Sequence, residues 1–197
     1  MIKTHEREKL INAIVFFAKN TEHCGKTKLF KLLYLLDFDH FKETGRTVTG
    51  MRYRAWEMGP VPHALWREWP ALQQGLAAAD MSAAVKVVPE KVKDHDLQKV
   101  VPRVDFDPSH FTKRELRLMQ GLATRLKDER TGPLIKLTHQ DRGPWEKTWR
   151  DGRGNDVEID YLLALEGAPH REALEASARE YAELIARLGS RDGATTG

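Results

Sequence analysis

Apolar residues recur at helical spacing at the start of the chain and then crowd into one segment. Residues 5–19 carry an apolar side in the i, i+3, i+4, i+7 pattern, which predicts an amphipathic helix. The next segment, Lys26 to Glu43, is apolar almost all round, and a helix of that kind is usually central and buried. Gly45 supplies the stop signal. The pattern therefore predicts a central helix with an amphipathic neighbour.

The polar residues of the Lys26 to Glu43 segment divide into two groups on the helical wheel. Asp37 and His40 fall on an apolar side and are spaced i, i+3, so their side chains can meet. We expect Asp37 to fix the tautomer of a buried His40 by a hydrogen bond, because buried polar groups need partners. The second group is predicted to face water, and it consists of Lys28, Lys31, Asp39 and Lys42.

A short strand is predicted next, in the stretch MRYRAWEMGPVPHALW at 51–66. Its apolar positions alternate with Arg52 and Arg54, as in a half-buried strand whose arginines point outward. The alternation then slips by one position, which favours a bulge or a tightening turn. The Gly-Pro-x-Pro sequence at 59–62 is expected to end the strand as a turn and to start a helix that reaches about Trp69.

The second half of the chain contains signals for two more strands and several helices. Val85 to Val88 and Lys99 to Val104 alternate as strands around a polar turn. A T-x-x-E capping box at Thr112 marks a clear helix start. The predicted helices are Thr112 to about Arg130, Pro133 to His139, Ile159 to Leu165 and 170–188, with a turn at Gly143 to Trp145 and a disordered tail at 189–197.

These elements predict a mainly α (α+β) fold, a compact helical domain with a small antiparallel β-sheet or hairpin, in one domain over residues 1–188. Hydrophobic residues make up 41% and charged residues 31% of the 197 residues, which is typical of a soluble globular protein. A net charge of +3 is too small to indicate nucleic-acid binding by itself.

The expected location is the cytoplasm. The single cysteine, Cys24, allows no internal disulfide, which suits a reducing compartment. The first ten residues carry charges where a signal peptide needs an apolar run. No apolar window approaches the ~18 residues of a membrane span.

Candidate catalytic and cofactor sites are weak. The GKTK sequence at 25–28 lacks the upstream glycine and strand of a phosphate-binding loop. Cys24 beside His23 could form a nucleophile, but an orienting group is missing and an inert cysteine is favoured. A metal site could be assembled from Asp37, His40 and His139, although a structural role for these residues is the favoured interpretation. We therefore predict no catalytic residues, no metal and no cofactor.

A binding surface is the better prediction for the stretch at 51–66. Arg52 and Arg54 lie near Tyr53 and Trp56, and basic residues interleaved with aromatics can bind nucleic acid. However, acidic residues number 29 against 32 basic ones, so no basic footprint is evident. Trp, Tyr, Met and Arg are also the types enriched in protein interfaces. Arg52, Arg54 and Trp56 are therefore the candidate partner-binding residues.

The motifs resemble a known family. The run KTKLFKLLYLLDFDHFKETGRTVTG, then YRAWEMGPVPHALW, then a Leu-rich segment ending in Thr138-His139 and a following Pro144-Trp145, is similar to the Panacea domain of SocA-like antitoxins over about residues 25–165. Phe30 departs from the family pattern, where a polar residue is expected. The motif residues are Lys28, Leu32, Tyr34, Asp37, His40, Gly45, Gly50, Tyr53, Gly59, Pro60, Pro62, His139, Pro144 and Trp145.

This resemblance implies an antitoxin that is encoded beside a toxin and neutralises it by direct binding, without enzymatic activity. It also implies a variant in which the antitoxin is a proteolytic adaptor that presents its toxin to a Clp-type protease. Some relatives are phage-borne, so a phage-associated origin belongs to the expectation. Two alternatives stay open, a DNA-binding autoregulator of its operon and a metal-dependent enzyme using Asp37, His40 and His139. The helix at 170–188 lies beyond the resemblance, and homo-oligomerisation is left open.

Overall fold

The computed structural model describes residues 5–92, 95–129, 131–139 and 143–192. Within these residues the chain forms eight α-helices, two short 3-10 helices and two separate antiparallel hairpins, which confirms the mainly α fold. No helix in this described part is long and apolar enough to cross a membrane. The α-helices are α1 (Glu6–Asn20), α2 (Lys26–Thr44), α3 (His63–Gln73), α4 (Ala79–Ala84), α5 (Lys113–Arg125), α6 (Thr131–Thr138), α7 (Pro144–Trp149) and α8 (Arg171–Asp192). The strands are β1 (Tyr53–Trp56), β2 (Gly59–Pro62), β3 (Val85–Val92) and β4 (His95–Pro102), and the 3-10 helices are Pro108–His110 and Tyr161–Leu165.

Helix α2 forms the centre of the core, as its sequence predicts. Thirteen of its residues are buried, because α1, α5, α6 and the β1–β2 hairpin cover it from several sides. Its aromatic residues continue the core outward, and the Phe38 ring stacks on Tyr161 with centroids 4.3 Å apart. At the entrance to α5, Thr112 and Glu115 form the predicted capping box. Glu115 also pairs with Lys9 at 2.7 Å, which ties α1 to α5.

The prediction that the lysine stripe of α2 faces water is wrong for its first half. Lys28 and Lys31 are each only 2% exposed, whereas Asp39 is half-buried and Lys42 is exposed. Lys28 Nζ donates to the backbone carbonyl oxygens of Glu22, Lys127 and Glu129, each at 2.8 Å. Other parts of the chain cover α2 on the side of Lys28 and Lys31, so these two lysines have no solvent face, and their long aliphatic stems let the ammonium groups reach carbonyl oxygens instead.

The Gly-Pro-x-Pro sequence is a strand rather than a turn. Strand β2 pairs with β1, with Tyr53 opposite Pro62 and Ala55 opposite Pro60, and the turn consists of residues 57–58. A third segment lies on the other side of β1, where Ala55 N–H donates to the carbonyl of Val157 at 2.9 Å. The backbone groups of Tyr53 and Ala55 form their hydrogen bonds with this third segment and not with β2. Their partners in β2, Pro62 and Pro60, therefore need no N–H group to pair with β1.

Several predicted boundaries also differ from the structure. Helix α5 ends at Arg125 rather than about Arg130, because the chain turns to bring the 127 and 129 carbonyls to Lys28. The predicted turn at Gly143 to Trp145 is the start of α7, with proline at the favoured first helical position. Helix α3 runs past Trp69 to Gln73. Helix α8 continues to Asp192, four residues into the predicted disordered tail, because one glycine costs a long helix only about 1 kcal/mol. Residues 193–197 lie outside the described residues.

Helix α8 rests on the C-terminal end of α2 with few deep contacts. None of its side chains that the structure describes is fully buried. The two helices approach closely at Gly45, where a Cβ atom would lie 2.6 Å from the carbonyl oxygen of Leu174. Gly45 ends α2 in the left-handed conformation, with φ 69°, as predicted from the sequence. The Arg46 guanidinium lies 4.8 Å from the centroid of the Tyr181 ring, which adds a cation–π contact.

Gly45→Ala is expected to destabilise the protein more than Gly75→Ala. Both glycines have left-handed φ, 69° and 72°, so each alanine meets the same backbone cost of about 1–2 kcal/mol. Only at Gly45 does the new methyl group meet another backbone, which adds roughly 1–3 kcal/mol of overpacking. Urea unfolding of both variants measures the difference. Equal losses of stability would contradict the close approach of α8.

Candidate functional site

Asp37 is the hub of the first cluster of motif residues. Its carboxylate is fully buried and accepts hydrogen bonds from the backbone N–H groups of Val48 at 2.8 Å and Thr49 at 2.7 Å. The Thr49 hydroxyl and the Tyr53 hydroxyl, the latter at 2.8 Å, donate to its second oxygen. Burial raises the pKa of Asp37 to about 6, because desolvation outweighs these hydrogen bonds. The carboxylate therefore fastens the loop after α2, and strand β1, to the central helix.

His40 does not pair with Asp37, which corrects the expected tautomer-fixing bond. Its Nδ1 lies 2.7 Å from the carbonyl oxygen of Arg46, so Nδ1 must carry the proton and donate. Burial lowers the pKa of His40, which favours the neutral ring. The i, i+3 spacing allows the two side chains to meet, but each bonds instead to the backbone of the loop that follows α2. A helical wheel shows only the residues of the helix, so it could not predict these loop partners.

The three candidate metal ligands are not brought together. Asp37 uses both oxygens on loop and strand donors, and His40 faces Arg46. His139 belongs to a different cluster, where its ring stacks on Trp145 with centroids 3.6 Å apart. In the part of the chain that the structure describes, no group of three His, Cys, Asp or Glu side chains could hold a metal ion.

The second cluster joins three distant motifs around Lys31. Lys31 Nζ donates to the carbonyl oxygen of Pro60 at 3.1 Å. A Cβ atom on Gly59 would lie 2.5 Å from this Nζ and 2.8 Å from His139 Nε2, so both nitrogens approach the same backbone position. Gly59 also has φ 101°, a conformation that side chains rarely adopt. Burial lowers the pKa of Lys31 to about 7. The pKa of His139 is lowered by burial and then by the charge of Lys31.

Most motif residues therefore build the fold. Trp145 in α7 donates from Nε1 to the carbonyl of Trp56 at 3.0 Å, which links the second cluster to the hairpin. Cys24 is buried, and burial raises the pKa of its thiol to about 11, which opposes a nucleophilic role. The remaining motif residues pack or shape the chain: Leu32, Tyr34 and Tyr53 in the core, Gly50 with φ 67° beside the carboxylate of Glu6, and Pro62 and Pro144 at helix starts.

The predicted partner-binding residues lie on the outer side of the hairpin, and one acidic residue, Asp156, holds two of them in place. Asp156 accepts from Arg54 at 3.0 Å and from Trp56 Nε1 at 2.9 Å. The hydrogen bond from Trp56 is the largest cause of a lowered pKa for Asp156, and Arg54 lowers this pKa further. The Arg52 side chain is 80% exposed and lies 3.7 Å from Glu158. The arginines are thus oriented and partly neutralised, with Arg52 the freer of the two.

Two exposed hydrophobic residues beside them were missed by the sequence analysis. Met58, in the hairpin turn, is 61% exposed, and Trp66, on α3, is 37% exposed. Trp66 contacts Trp56 edge-on with ring centroids 4.9 Å apart. Reading 57–58 as a two-residue turn would have placed Met58 outside the core. We call Arg52, Arg54, Trp56, Met58 and Trp66 the hairpin face.

The sequence model of one protein family, described as antitoxin SocA-like, Panacea domain, matches residues 29–146. Comparisons with curated proteins and with solved structures gave no match. The matched segment covers more than half of the chain and runs from within α2 to just past Trp145, so it contains both buried clusters and all five residues of the hairpin face. Helix α8 and the acidic residues Asp156 and Glu158, which lie beside the two arginines, fall outside it. The chain therefore belongs to the family of SocA-like antitoxins that is defined by the Panacea domain.

Proposed function

We propose that this protein is the antitoxin of a toxin–antitoxin module and neutralises a genetically linked toxin by direct binding at the hairpin face. Membership of the antitoxin-like family carries the proposal. The hairpin face supports it, because Trp, Met and Arg are the residue types enriched in interface cores and hot spots. The buried motif residues hold this face in position from below, through the contact of Lys31 with Pro60 and that of Trp145 with Trp56.

The structure weakens the support for the two alternatives. A DNA-binding regulator was motivated by Arg52 and Arg54, but Glu158 and Asp156 now lie beside them and reduce the potential available to a phosphate backbone. A metal-dependent enzyme was motivated by Asp37, His40 and His139, which lie in separate hydrogen-bonding and stacking arrangements. A mobility shift on the upstream DNA at low salt tests the first alternative.

Co-expression with the product of the adjacent gene tests the proposal. We expect that product to arrest growth alone, and the antitoxin to restore growth and to co-purify with it at fixed stoichiometry. A harmless product that forms no complex would contradict the proposal. Repeating the assay in a host without Clp proteases separates two modes of action. Rescue that persists supports occlusion of the toxin, and rescue that disappears supports the adaptor variant.

Arg52→Glu is expected to weaken the complex by about fivefold, or about 1 kcal/mol, without changing the stability of the isolated protein. The Arg52 side chain is 80% exposed and its ion pair with Glu158, at 3.7 Å, lies at the surface, where such a pair contributes little to folding. Isothermal titration with the co-purified toxin measures the affinity. Arg117→Glu is the control, because Arg117 is exposed on α5 and the charge change is the same. Equal affinity of both variants would place the contact elsewhere.

A further inference from the structure

Two exposed hydrophobic side chains belong to the hairpin face. Of the six large hydrophobic residues exposed in the described part of the chain, Met58 lies in the hairpin turn directly after strand β1, and Trp66 contacts the ring of Trp56 at the end of that strand. Tryptophan and methionine are enriched in interface cores, and a tryptophan that anchors a contact commonly dominates its energy. The hairpin face therefore offers an apolar platform of two or three side chains.

A lysine without an anionic partner lies at the edge of this platform. Lys26 Nζ is 5.8 Å from the centroid of the Trp66 ring and 5.7 Å from that of Trp69. Phe30 forms a third wall, also at 5.7 Å. Among the described residues no carboxylate forms an ion pair with Lys26, whose pKa burial lowers. Aromatic walls exclude water, so a carboxylate arriving at this ammonium would interact more strongly than at an open surface.

The other cations of the face favour the same place for a partner's carboxylate. Arg54 is held by Asp156 and Arg52 lies near Glu158, so an additional negative charge over either arginine would meet an anion already there. At Lys26 it would meet none within the described residues. Charge complementarity therefore directs an acidic group to the Trp66 edge of the hairpin face.

We infer that the toxin presents an apolar side chain beside a carboxylate, with the apolar group on Trp66 and Met58 and the carboxylate on Lys26. This inference rests on the proposed antitoxin function and names the chemistry of its partner. It commits to a protein partner, because an apolar anchor next to one acidic group matches a platform bordered by the ammonium of Lys26, which has no carboxylate partner among the described residues. A second copy of the chain is the competing occupant.

The test uses the full-length protein and the product of the adjacent gene. Trp66→Ala and Lys26→Met are each expected to weaken the complex at least tenfold, and Lys26→Met is expected to reduce its salt dependence. Lys26→Arg keeps the charge and is expected to restore most of the affinity. The matched control is Leu76→Ala, because Leu76 is 73% exposed and lies after α3, and it should leave the affinity unchanged.

The outcomes separate the antitoxin function from the contacts inferred at Trp66 and Lys26. If the wild-type chain neither binds nor neutralises the product, the antitoxin function fails and this inference with it. If the wild type binds and the Trp66 and Lys26 variants bind equally well, the inference is overturned while the function stands. Loss of affinity in Trp66→Ala alone overturns the carboxylate contact. If the isolated wild type is an oligomer and Trp66→Ala lowers its oligomeric state, the platform binds a second copy of the chain, and the inference is also overturned.

Discussion

Asp37→Ala is expected to lower the free energy of unfolding by about 3–5 kcal/mol, since several buried donors lose one acceptor and each orphaned donor costs about 1–3 kcal/mol. Two of these donors are the backbone N–H groups of Val48 and Thr49, which cannot turn toward water while the loop keeps its path. The other two are the hydroxyls of Thr49 and Tyr53. Urea unfolding monitored by tryptophan fluorescence measures the loss. The exposed Asp96 provides the control, and Asp96→Ala should cost less than about 0.5 kcal/mol.

Asp37→Asn separates the charge of this residue from its shape. The folded-state pKa of Asp37 is about 6, above the ordinary value of 3.8, so the folded state binds this proton more readily than the unfolded state does. Its contribution to stability is therefore fully present below pH 3.8 and is lost as the pH rises through 6, by about 3 kcal/mol in total. Asparagine cannot titrate, so the wild type should lose stability relative to Asp37→Asn as the pH rises from 4 to 6. A difference that is constant with pH would show that the carboxylate stays ionised throughout.

Local patterns in the sequence were sufficient to predict the elements that depend on local physics. The all-round apolar character of Lys26 to Glu43 predicted the buried central helix, and the T-x-x-E sequence predicted a capping box that the structure contains. Gly45 was correctly identified as the helix stop because its left-handed φ suits glycine. These signals are contained within a few residues, so no knowledge of the partner elements was needed.

The predictions were wrong where a residue's surroundings are formed by segments that are distant in the sequence. Lys28 was predicted to face water, but carbonyl groups at 127 and 129 reach it from a segment about a hundred residues away. The Gly-Pro-x-Pro sequence was interpreted as a turn, although a strand is possible because Val157 takes the hydrogen bond of Ala55 on the far side of β1. Proline is acceptable in a strand only where its missing N–H is not needed, and that depends on the neighbouring segment.

Only part of the candidate site could be predicted from the sequence, because motif and alternation identify the scaffold and the arginines but not which large apolar residues stay exposed. Asp37, Gly59 and His139 were selected by their place in a motif, and each proves to shape the fold beneath the hairpin. Arg52 and Arg54 were selected by outward alternation, and both do lie toward solvent. Met58 and Trp66 were missed because large apolar residues are expected to be buried. The motif thus specifies a scaffold, and the exposed side chains on that scaffold are where partner recognition is expected.

The second large effect concerns Lys31, whose burial should make stability rise with pH above neutrality. Its folded-state pKa is about 7, below the ordinary 10.5, so the unfolded state binds this proton more readily between those values. Stability contributed by this group is therefore lowest below pH 7 and recovers as the pH approaches 10.5, by about 5 kcal/mol in total. Roughly half of that change should be visible between pH 7 and pH 9.

Lys31→Met isolates this contribution, because methionine fills similar space without a charge. We expect the variant to lose the rise between pH 7 and pH 9, and to be more stable than the wild type at pH 6, where burying the ammonium costs most. Lys42→Met is the matched control, since Lys42 is exposed on the same helix and should leave the pH profile unchanged. The window stops at pH 9 because the raised pKa of Cys24 acts in the opposite direction above it. Identical pH profiles for the wild type and Lys31→Met would mean that Lys31 keeps its proton in the folded state. In that case the carbonyl of Pro60 would stabilise the ammonium fully, and the close approach of Gly59 and His139 would have to tolerate a permanent buried charge.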